Sequence, residues 1–422
     1  MIEREERDER EARGERNAKN AGIDEVLARH RVVVCVGSGG VGKTTIAAAL
    51  ALVGALAGRR TMVLTIDPAR RLAEALGAGE LRPGGERIEP RRFEQAGLDP
   101  SATLWAGMLD QKSAWDEFIA RHSPNPQVRD TILANPFYQN VSRSFAGSTE
   151  YMAIEELCRI EESGNFDLIV LDTPPSRHAL DFLEAPRRLE DLFDRTLLSW
   201  LAGPASAGWS AWKAASRGAR FVFERIEDAT GIQALSEIAS FFSAIESLVD
   251  GVTARSRKVR ALLQDPSTAF VLVTGPDEQV LEDAEGLTER MQQLGVSLKG
   301  VVMNRLQVAD GIEDPRRFVR QRGASSHDRL DDRVPDAGDD PLAPLMAALA
   351  AQGVAPAVVR WLRGTLEARI VQAAAQEVRR EVFEAELPEG ISLRVVPEQS
   401  RDVHDLAGLA AIARELSRAD AC

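Results

Sequence analysis

The stretch Val32-Val-Val-Cys-Val36, continued by Gly37-Ser-Gly-Gly-Val-Gly-Lys-Thr-Thr45, decides the fold of this chain. The apolar, β-branched run predicts a buried strand, and the Ala/Leu-rich segment 44–57, closed by Gly58, predicts a helix. The loop between them matches the pattern GxxxxGK[ST], in which backbone N–H groups curl around phosphate oxygens. The N-terminus of the following helix adds a partial positive charge. The sequence therefore predicts a strand, a phosphate-binding loop and a helix in succession.

Each residue type in this loop predicts a contact with a bound nucleotide. Lys43 is expected to reach the β- and γ-phosphates, and Thr44 is expected to hold Mg²⁺. We therefore expect ATP or ADP, with Mg²⁺, as the cofactors. The residues predicted to bind the nucleotide here are Gly37, Gly39, Gly40, Val41, Gly42, Lys43, Thr44 and Thr45.

Two carboxylates follow other predicted strands. Asp67 ends the run that begins at Thr61, and Asp172 ends the apolar run Leu168–Leu171. Because ligands of parallel sheets bind at the carboxyl ends of the strands, both carboxylates are expected beside the phosphate loop. Asp67 would orient the attacking water or a Mg²⁺-bound water. Asp172 would accept a hydrogen bond from Mg²⁺-bound water or from Thr44. The alternative is that Asp172 caps a helix. The predicted catalytic residues are thus Asp67, Lys43 and Asp172, and the predicted metal ligands are Thr44, Asp67 and Asp172.

The rest of the chain alternates apolar strands with helical segments, which predicts an α/β fold with a mostly parallel sheet flanked by helices. Two helical stretches, about 109–145 and 186–264, interrupt this order and predict an inserted helical subdomain. Residues 1–22 form a charge-dense tail that is expected to be disordered, which leaves 23–422 as the folded domain. The further strand candidates are Leu104–Met108, Phe270–Thr274, Gly300–Met303 and Ser392–Val396.

Composition narrows the classes of protein. The 422 residues carry a net charge of −13, which argues against a general nucleic-acid binder. The three cysteines show no CxxC spacing, and Cys35 and Cys158 lie in apolar patterns typical of core positions. Neither an apolar N-terminal run nor a stretch long enough to span a membrane is present, so a cytoplasmic protein is expected.

Five separated motifs together resemble a known family. The loop is similar to the deviant phosphate loop of SIMIBI-class ATPases. Combined with Thr65-Ile-Asp-Pro-Ala-Arg-Arg-Leu72, Asp172-Thr-Pro-Pro-Ser-Arg-His178, Val302-Met-Asn304 and Val396-Pro-Glu398, it resembles the arsenical pump-driving, or anion-transporting, ATPase family. That family includes ATPases that target tail-anchored membrane proteins. The resemblance implies that Asn304 reads adenine and that Pro397 begins a lid over it.

The resemblance also implies a dimer, because this chain has one phosphate loop and a second copy or a paralogue must supply the other. It departs from the family in carrying Ser38 where a lysine usually reaches the partner's phosphates. The first hypothesis is a Mg²⁺-dependent, dimeric ATPase switch that couples nucleotide state to a partner or cargo, either a membrane protein or an anion-linked one. The alternative is a weakly hydrolysing regulatory subunit of a heterodimer.

Overall fold

Eight strands in the described part of the chain form one sheet. The computed structural model describes residues 22–66, 71–79, 81–82, 84–142, 148–173, 184–185, 232–246, 248–309, 312, 315–316, 318–319 and 340–418. The strands are β1 (Val32–Val36), β2 (Thr61–Thr65), β3 (Glu86–Arg87), β4 (Leu104–Met108), β5 (Leu168–Asp172), β6 (Thr268–Thr274), β7 (Leu298–Leu306) and β8 (Ser392–Pro397). Their order is β3-β4-β2-β5-β1-β6-β7-β8. All neighbours are parallel except β3 and β4, so the predicted α/β fold with a mostly parallel sheet is confirmed.

Helices cover both faces of this sheet. They are α1 (Ile23–Arg29), α2 (Lys43–Leu56), α3 (Arg71–Ala75), α4 (Pro90–Gln95), α5 (Gln111–His122), α6 (Pro126–Ala134), α7 (Pro136–Val141), α8 (Ser148–Glu162), α9 (Ile232–Glu246), α10 (Val249–Gln264), α11 (Glu278–Gln293), α12 (Ala343–Ala351), α13 (Pro356–Glu386) and α14 (Leu406–Ser417). Among helices built from the described part of the chain, none has both the length and the apolar character needed to cross a bilayer.

The alternation of side chains along β1 explains why its residues are all apolar. Val32, Val34 and Val36 belong to one buried cluster, which includes Phe118 of α5. Val33 and Cys35 belong to the cluster on the opposite face, which contains most of α2 and the apolar face of α14. Successive strand residues point to opposite faces, and each face here meets a helical layer. A continuous apolar run is therefore what this central position requires.

The expected strands are all found, but the structure adds one short strand and divides one predicted helical face. The short antiparallel strand β3 was not expected, because two polar residues have no recognisable periodicity. The apolar residues from Leu235 to Val252 recur at steps of three and four, which predicts one continuous helical face. It is instead divided between α9 and α10, with Leu248 as the N-cap residue of α10. Its periodicity continues across the junction because both helices bury residues in the same cluster.

The helical segments at 109–145 and within 232–264 pack against each other. The amide of Asn135, between α6 and α7, donates to Glu237 O and Ser240 Oγ of α9, both at 3.0 Å. The ring of Phe137 lies 5.3 Å from that of Phe241. The two sequence segments thus form one helical layer. Residues 186–231, the remainder of the predicted subdomain, lie outside the described residues, as do residues 1–21 of the charged tail.

Candidate functional site

The loop between β1 and α2 has a backbone shape that its glycines alone permit. Gly37 has φ +149°, and a Cβ built there would lie 2.0 Å from Val273 O of β6. Gly42 has φ +90°, and its Cβ would lie 2.4 Å from the side-chain amide nitrogen of Asn304. Side chains at these positions would be strained and would also collide with neighbouring strands. The glycines therefore let the loop close tightly over the ends of β6 and β7.

Lys43 is the first residue of α2 and points back into this loop. Its Nζ donates to Ser38 O at 2.7 Å, although the two residues are five positions apart. Only 5% of Lys43 is exposed. A buried ammonium group at the N-terminus of a helix concentrates positive charge at one point. The loop is thus built to receive a strongly anionic group.

Two consecutive residues of β7 hold the outer side of the loop. The Asn304 amide donates to Val41 O at 2.8 Å, and Arg305 Nη1 donates to Gly40 O at 3.1 Å. In a regular strand, neighbouring side chains point to opposite faces. Here Arg305 has φ +63°, and the pairing with β8 shifts register between Asn304 and Leu306. This bulge turns both side chains toward the loop.

The end of β5 places a carboxylate beside the loop. Asp172 is fully buried, and Thr65 Oγ1 donates to its Oδ2 at 2.8 Å. The next residue, Thr173, donates through its hydroxyl to Cys35 O at 2.7 Å. Burial, assisted by the charge of Asp172, raises the pKa of the Cys35 thiol, whereas Lys43 lowers it. Asp172 and Lys43 therefore both lie near the carboxyl end of β1.

The backbone at the end of β2 also approaches Asp172. Ile66 N donates to Asp172 O at 3.2 Å. Asp67 is the next residue along the chain and lies outside the described residues, together with 68–70. Its predicted catalytic and metal-binding roles stay predictions. Arg177 and His178, at the end of the motif that begins at Asp172, are likewise outside the described ranges.

A cavity of about 670 Å³ opens over the loop. Five predicted residues of the loop line it together with Asn304: they are Gly40, Gly42, Lys43, Thr44 and Thr45. Pro397 ends β8 at the rim, where Glu398 N donates to Leu306 O at 2.9 Å and Gln399 Nε2 donates to Pro397 O, also at 2.9 Å. The turn after Pro397 is thus fixed to β7, and Glu398 and Gln399 reach the cavity.

Several lining residues were not expected from the sequence. Arg305 was missed because strand alternation places it on the face opposite Asn304, and only the bulge reverses this. Arg71 and Glu74 of α3 and His404, which precedes α14, also line the cavity. Ser38 Oγ donates to Asp283 Oδ2 of α11 at 3.0 Å. No sequence pattern signals a contact across 245 positions.

A buried ion pair connects the helical layer to α8, the helix that precedes β5. Arg255 of α10 contacts Glu155 of α8, with Nε 2.7 Å from Oε2, and Arg255 Nη1 lies 2.6 Å from Glu162 Oε1. Burial lowers the pKa of Arg255, but its hydrogen bonds to these two glutamates outweigh burial and the pKa is raised overall. Helix α8 leads into β5, which carries Asp172, and α10 leads into β6. The pair therefore ties together two helices that both continue into strands at the site.

The sequence of this chain is similar to those of known proteins. The family model described as "Anion-transporting ATPase" matches residues 30–203 and 218–337, which is well over half of the chain. "ATPase GET3" of Malassezia globosa is 26% identical over 275 residues, covering 65% of this chain and 72% of that protein. "ATPase get3" of Schizosaccharomyces japonicus is 24% identical, covering 68% and 78%. "ATPase asna-1" of Caenorhabditis elegans is 24% identical, covering 65% and 74%. With the phosphate loop in place, these matches show that the chain is an ATPase of the anion-transporting ATPase family.

Proposed function

We propose that this ATPase binds ATP with Mg²⁺ over the loop 37–45 and acts as a dimeric switch whose nucleotide state controls a partner or cargo. One observation carries the proposal. The loop is closed at Gly37 and Gly42, where a Cβ would collide with β6 and β7, and it directs a buried Lys43 toward a cavity of about 670 Å³. That cavity lies at the carboxyl ends of parallel strands, where α/β proteins bind nucleotides.

The residues in the cavity divide between the phosphates and the base. Lys43, the backbone amides of the loop and the N-terminus of α2 would bind the phosphate chain. Asn304, fixed against Val41 O at 2.8 Å, would contact adenine, and the turn after Pro397 would cover it. Because this hydrogen bond holds Asn304 against the loop, the residues that bind the base and those that bind the phosphates would be directly connected.

The residues present also fit a magnesium ion. Thr44 offers a hydroxyl, and Asp172 offers a carboxylate whose Oδ2 is oriented by Thr65 at 2.8 Å. Such oxygens are the ligands that Mg²⁺ prefers, and Asp67 is the third proposed ligand. When bound, the ion would neutralise charge on the phosphate oxygens. Asp67 would orient the attacking water, and Lys43 would stabilise negative charge on the γ-phosphate.

The helical layer is the proposed site for the partner or cargo. It joins two sequence segments through Asn135, and the ion pair of Arg255 with Glu155 connects it to α8, the helix that precedes β5. A change at Asp172 would thus have a short structural path to α10. Membership of the family supports a membrane-protein or anion-linked cargo and a cytoplasmic location, both as proposals.

A second candidate is a weakly hydrolysing subunit that pairs with a paralogous ATPase. Ser38 supports it, because a serine hydroxyl cannot supply a cation to a neighbouring nucleotide. Ser38 also hydrogen bonds to Asp283 at 3.0 Å, which places negative charge at the mouth of the loop. That charge would attract a cation contributed by a partner subunit.

Phosphate release tests the hydrolytic proposal. Purified protein with Mg²⁺-ATP is compared with Lys43→Ala and Asp67→Asn. We expect clear turnover that both substitutions reduce by about 100-fold or more. Indistinguishable rates in all three proteins would end the claim of hydrolysis at this site.

The two candidates are separated by restoring the cation. Ser38→Lys is combined with Asp283→Asn, because Asp283 would otherwise pair with the new lysine, and Asp283→Asn alone is the control. If the missing trans charge limits the homodimer, turnover should rise well above that of the control. Brisk turnover of the unmodified homodimer would instead exclude the regulatory-subunit candidate.

A further inference from the structure

Arg305 has a backbone conformation that its residue type does not favour. In the described part of the chain it is the only residue other than glycine with a positive φ, at +63°. Arginine has no short polar side chain that could stabilise the left-handed region locally, so this conformation is strained. Strain of this kind persists only where the surrounding structure imposes it, and it is concentrated at functional sites. The conformation of Arg305 therefore requires a functional explanation.

The strained residue contacts the phosphate loop beside a second contact from the same strand. Arg305 Nη1 donates to Gly40 O at 3.1 Å, and the amide of Asn304 donates to Val41 O at 2.8 Å. Two consecutive carbonyl groups of the loop therefore point toward β7. In a planar trans peptide the C=O and N–H groups point in opposite directions, and the described residues contain no cis peptide bond. The N–H groups of Val41 and Gly42 consequently point away from β7.

These two N–H groups donate to no other group within the described residues. Val41 is 6% exposed, and a buried backbone N–H without a partner is rare in proteins. Successive N–H groups that point to the same side of a loop form a concave site for anions. Both groups are thus oriented to receive phosphate oxygens, on the side of the loop opposite Asn304 and Arg305.

Packing does not fix the first of these peptide units, which joins Gly40 to Val41. Gly40 is exposed, and a Cβ built on it would meet no atom within 4 Å. A glycine in open surroundings rotates easily about its backbone bonds, so this peptide could turn over and exchange the directions of its C=O and N–H groups. The contact with Arg305 opposes that rotation, because the turned peptide would present an N–H to a guanidinium that can only donate.

The charge of Arg305 also favours an anionic ligand. Among the described residues that line the cavity over the loop, four are cationic and three carry carboxylates. The cations are Lys43, Arg71, Arg305 and Arg401, and the carboxylates are those of Glu74, Glu398 and Asp402. Without Arg305 the two signs would be equal in number, apart from His404. Arg305 therefore gives this part of the lining its excess of positive charge.

We infer that Arg305 is a positioning residue of the phosphate site. It holds the peptide unit between Gly40 and Val41 so that the Val41 N–H faces the phosphate chain, and its guanidinium adds positive charge beside that chain. The bulge and the positive φ at 305 are what bring this side chain to the loop. The inference rests on the proposed binding of a nucleotide over the loop, and it assigns the residue that orients one of the backbone donors.

Calorimetric titration with magnesium pyrophosphate tests the inference, because this probe has phosphates but no base. Arg305→Met and Arg305→Gly should each weaken binding by about tenfold, as expected for the loss of one charge-assisted hydrogen bond. Arg305→Lys should bind within about threefold of the unmodified protein, because lysine keeps both the charge and a donor for Gly40 O. The control, Arg360→Gln, removes an exposed cation of α13 and should change nothing.

Lys43→Ala is titrated alongside, so that two kinds of failure are distinguished. If Arg305→Met binds pyrophosphate as tightly as the unmodified protein while Lys43→Ala does not bind, the loop is a phosphate site and only the role of Arg305 is wrong. A loss in Arg305→Lys as large as that in Arg305→Met would also overturn the inference. Absence of binding by the unmodified protein would overturn the proposed function and this inference together.

Amide hydrogen exchange tests the orientation of the peptide unit directly. Binding of magnesium pyrophosphate should protect the N–H groups of Val41 and Gly42, and fragmentation that resolves single residues measures both. In Arg305→Gly at saturating pyrophosphate, Val41 should lose most of this protection, whereas Gly42, whose peptide unit is held by Asn304, should keep it. Equal protection of Val41 in the two proteins would show that Arg305 does not orient this peptide.

Discussion

The phosphate loop and the helix α13 are both held against the sheet, but their sequences determine their structures in different ways. The loop is fixed from three strands: it continues β1, presses on Val273 O of β6 and accepts hydrogen bonds from Asn304 and Arg305 of β7. Helix α13 packs against the protein with one face. Apolar residues occur both on this buried face and on the exposed face. A short phosphate-binding motif adopts one backbone conformation, which its sequence predicts. For a helix with two apolar faces, the sequence does not predict which face packs in the core.

The sharpest test of this contrast compares two aromatic residues of α13. Phe383 is 2% exposed, and Trp361 is 68% exposed. Phe383→Ala should lower the free energy of unfolding by about 3–5 kcal/mol through lost burial and a cavity. Trp361→Ala, in dilute protein, should change it by no more than about 0.5 kcal/mol. Urea unfolding measures both, and similar losses would mean that the two faces are not distinct.

In the loop, the largest effect is expected on turnover. Lys43→Ala should reduce the rate of phosphate release by about 100- to 1,000-fold, since a preorganised donor at the reacting phosphate is lost. The matched control is Lys299→Ala, which removes an exposed lysine of β7. Steady-state assays with saturating ATP provide the measurement. Retained activity in Lys43→Ala would show that the loop does not bind the transferred phosphate.

A smaller effect distinguishes two glycines of the same loop. Gly37→Ala should destabilise the protein by about 2–5 kcal/mol, because its Cβ collides with backbone and its φ is strained. A Cβ at Gly40, with φ +83°, meets nothing within 4 Å. Gly40→Ala should therefore cost only the backbone strain of about 1–2 kcal/mol. Thermal and urea unfolding measure the stability of both variants. A larger loss of stability in Gly40→Ala than in Gly37→Ala would contradict the prediction.

The smallest effect concerns the bulge at Arg305. Arg305→Ala and Arg305→Gly both remove the bond to Gly40 O, but glycine relieves the positive φ. The glycine variant should be more stable than the alanine variant by about 1 kcal/mol. Equal stabilities would indicate that the left-handed conformation at 305 stores no strain. Nucleotide affinity of the two variants should fall equally, because the guanidinium is absent from both.

The fold and the centre of the site could be predicted because their signals are local. A buried strand, a glycine loop and a helix follow one another between Val32 and Leu56, and Asp172 ends an apolar run that pairs with β1 at Cys35. The structure confirms the fold class that these local signals predict. Asp67 and the role of Pro397 as a lid stay predictions.

The remainder depends on long-range geometry. The position of Arg305 follows from a bulge, and the Ser38–Asp283 bond joins the loop to α11. The division of 235–252 into two helices was missed because a shared core preserves the apolar period across the break. In each case, tertiary packing decides between local conformations that the sequence pattern leaves equal.

The environment of Cys35 makes the native thiol a reporter. It is fully buried in β1, between the strands that carry Asp172 and Val271, and its raised pKa keeps it protonated. Alkylation by a small reagent therefore requires the centre of the sheet to open. Mass spectrometry of the labelled peptide would follow that opening without any introduced probe. The decrease in the modification rate of Cys35 when ATP is present would measure how much ligand binding stabilises the centre of the sheet against opening.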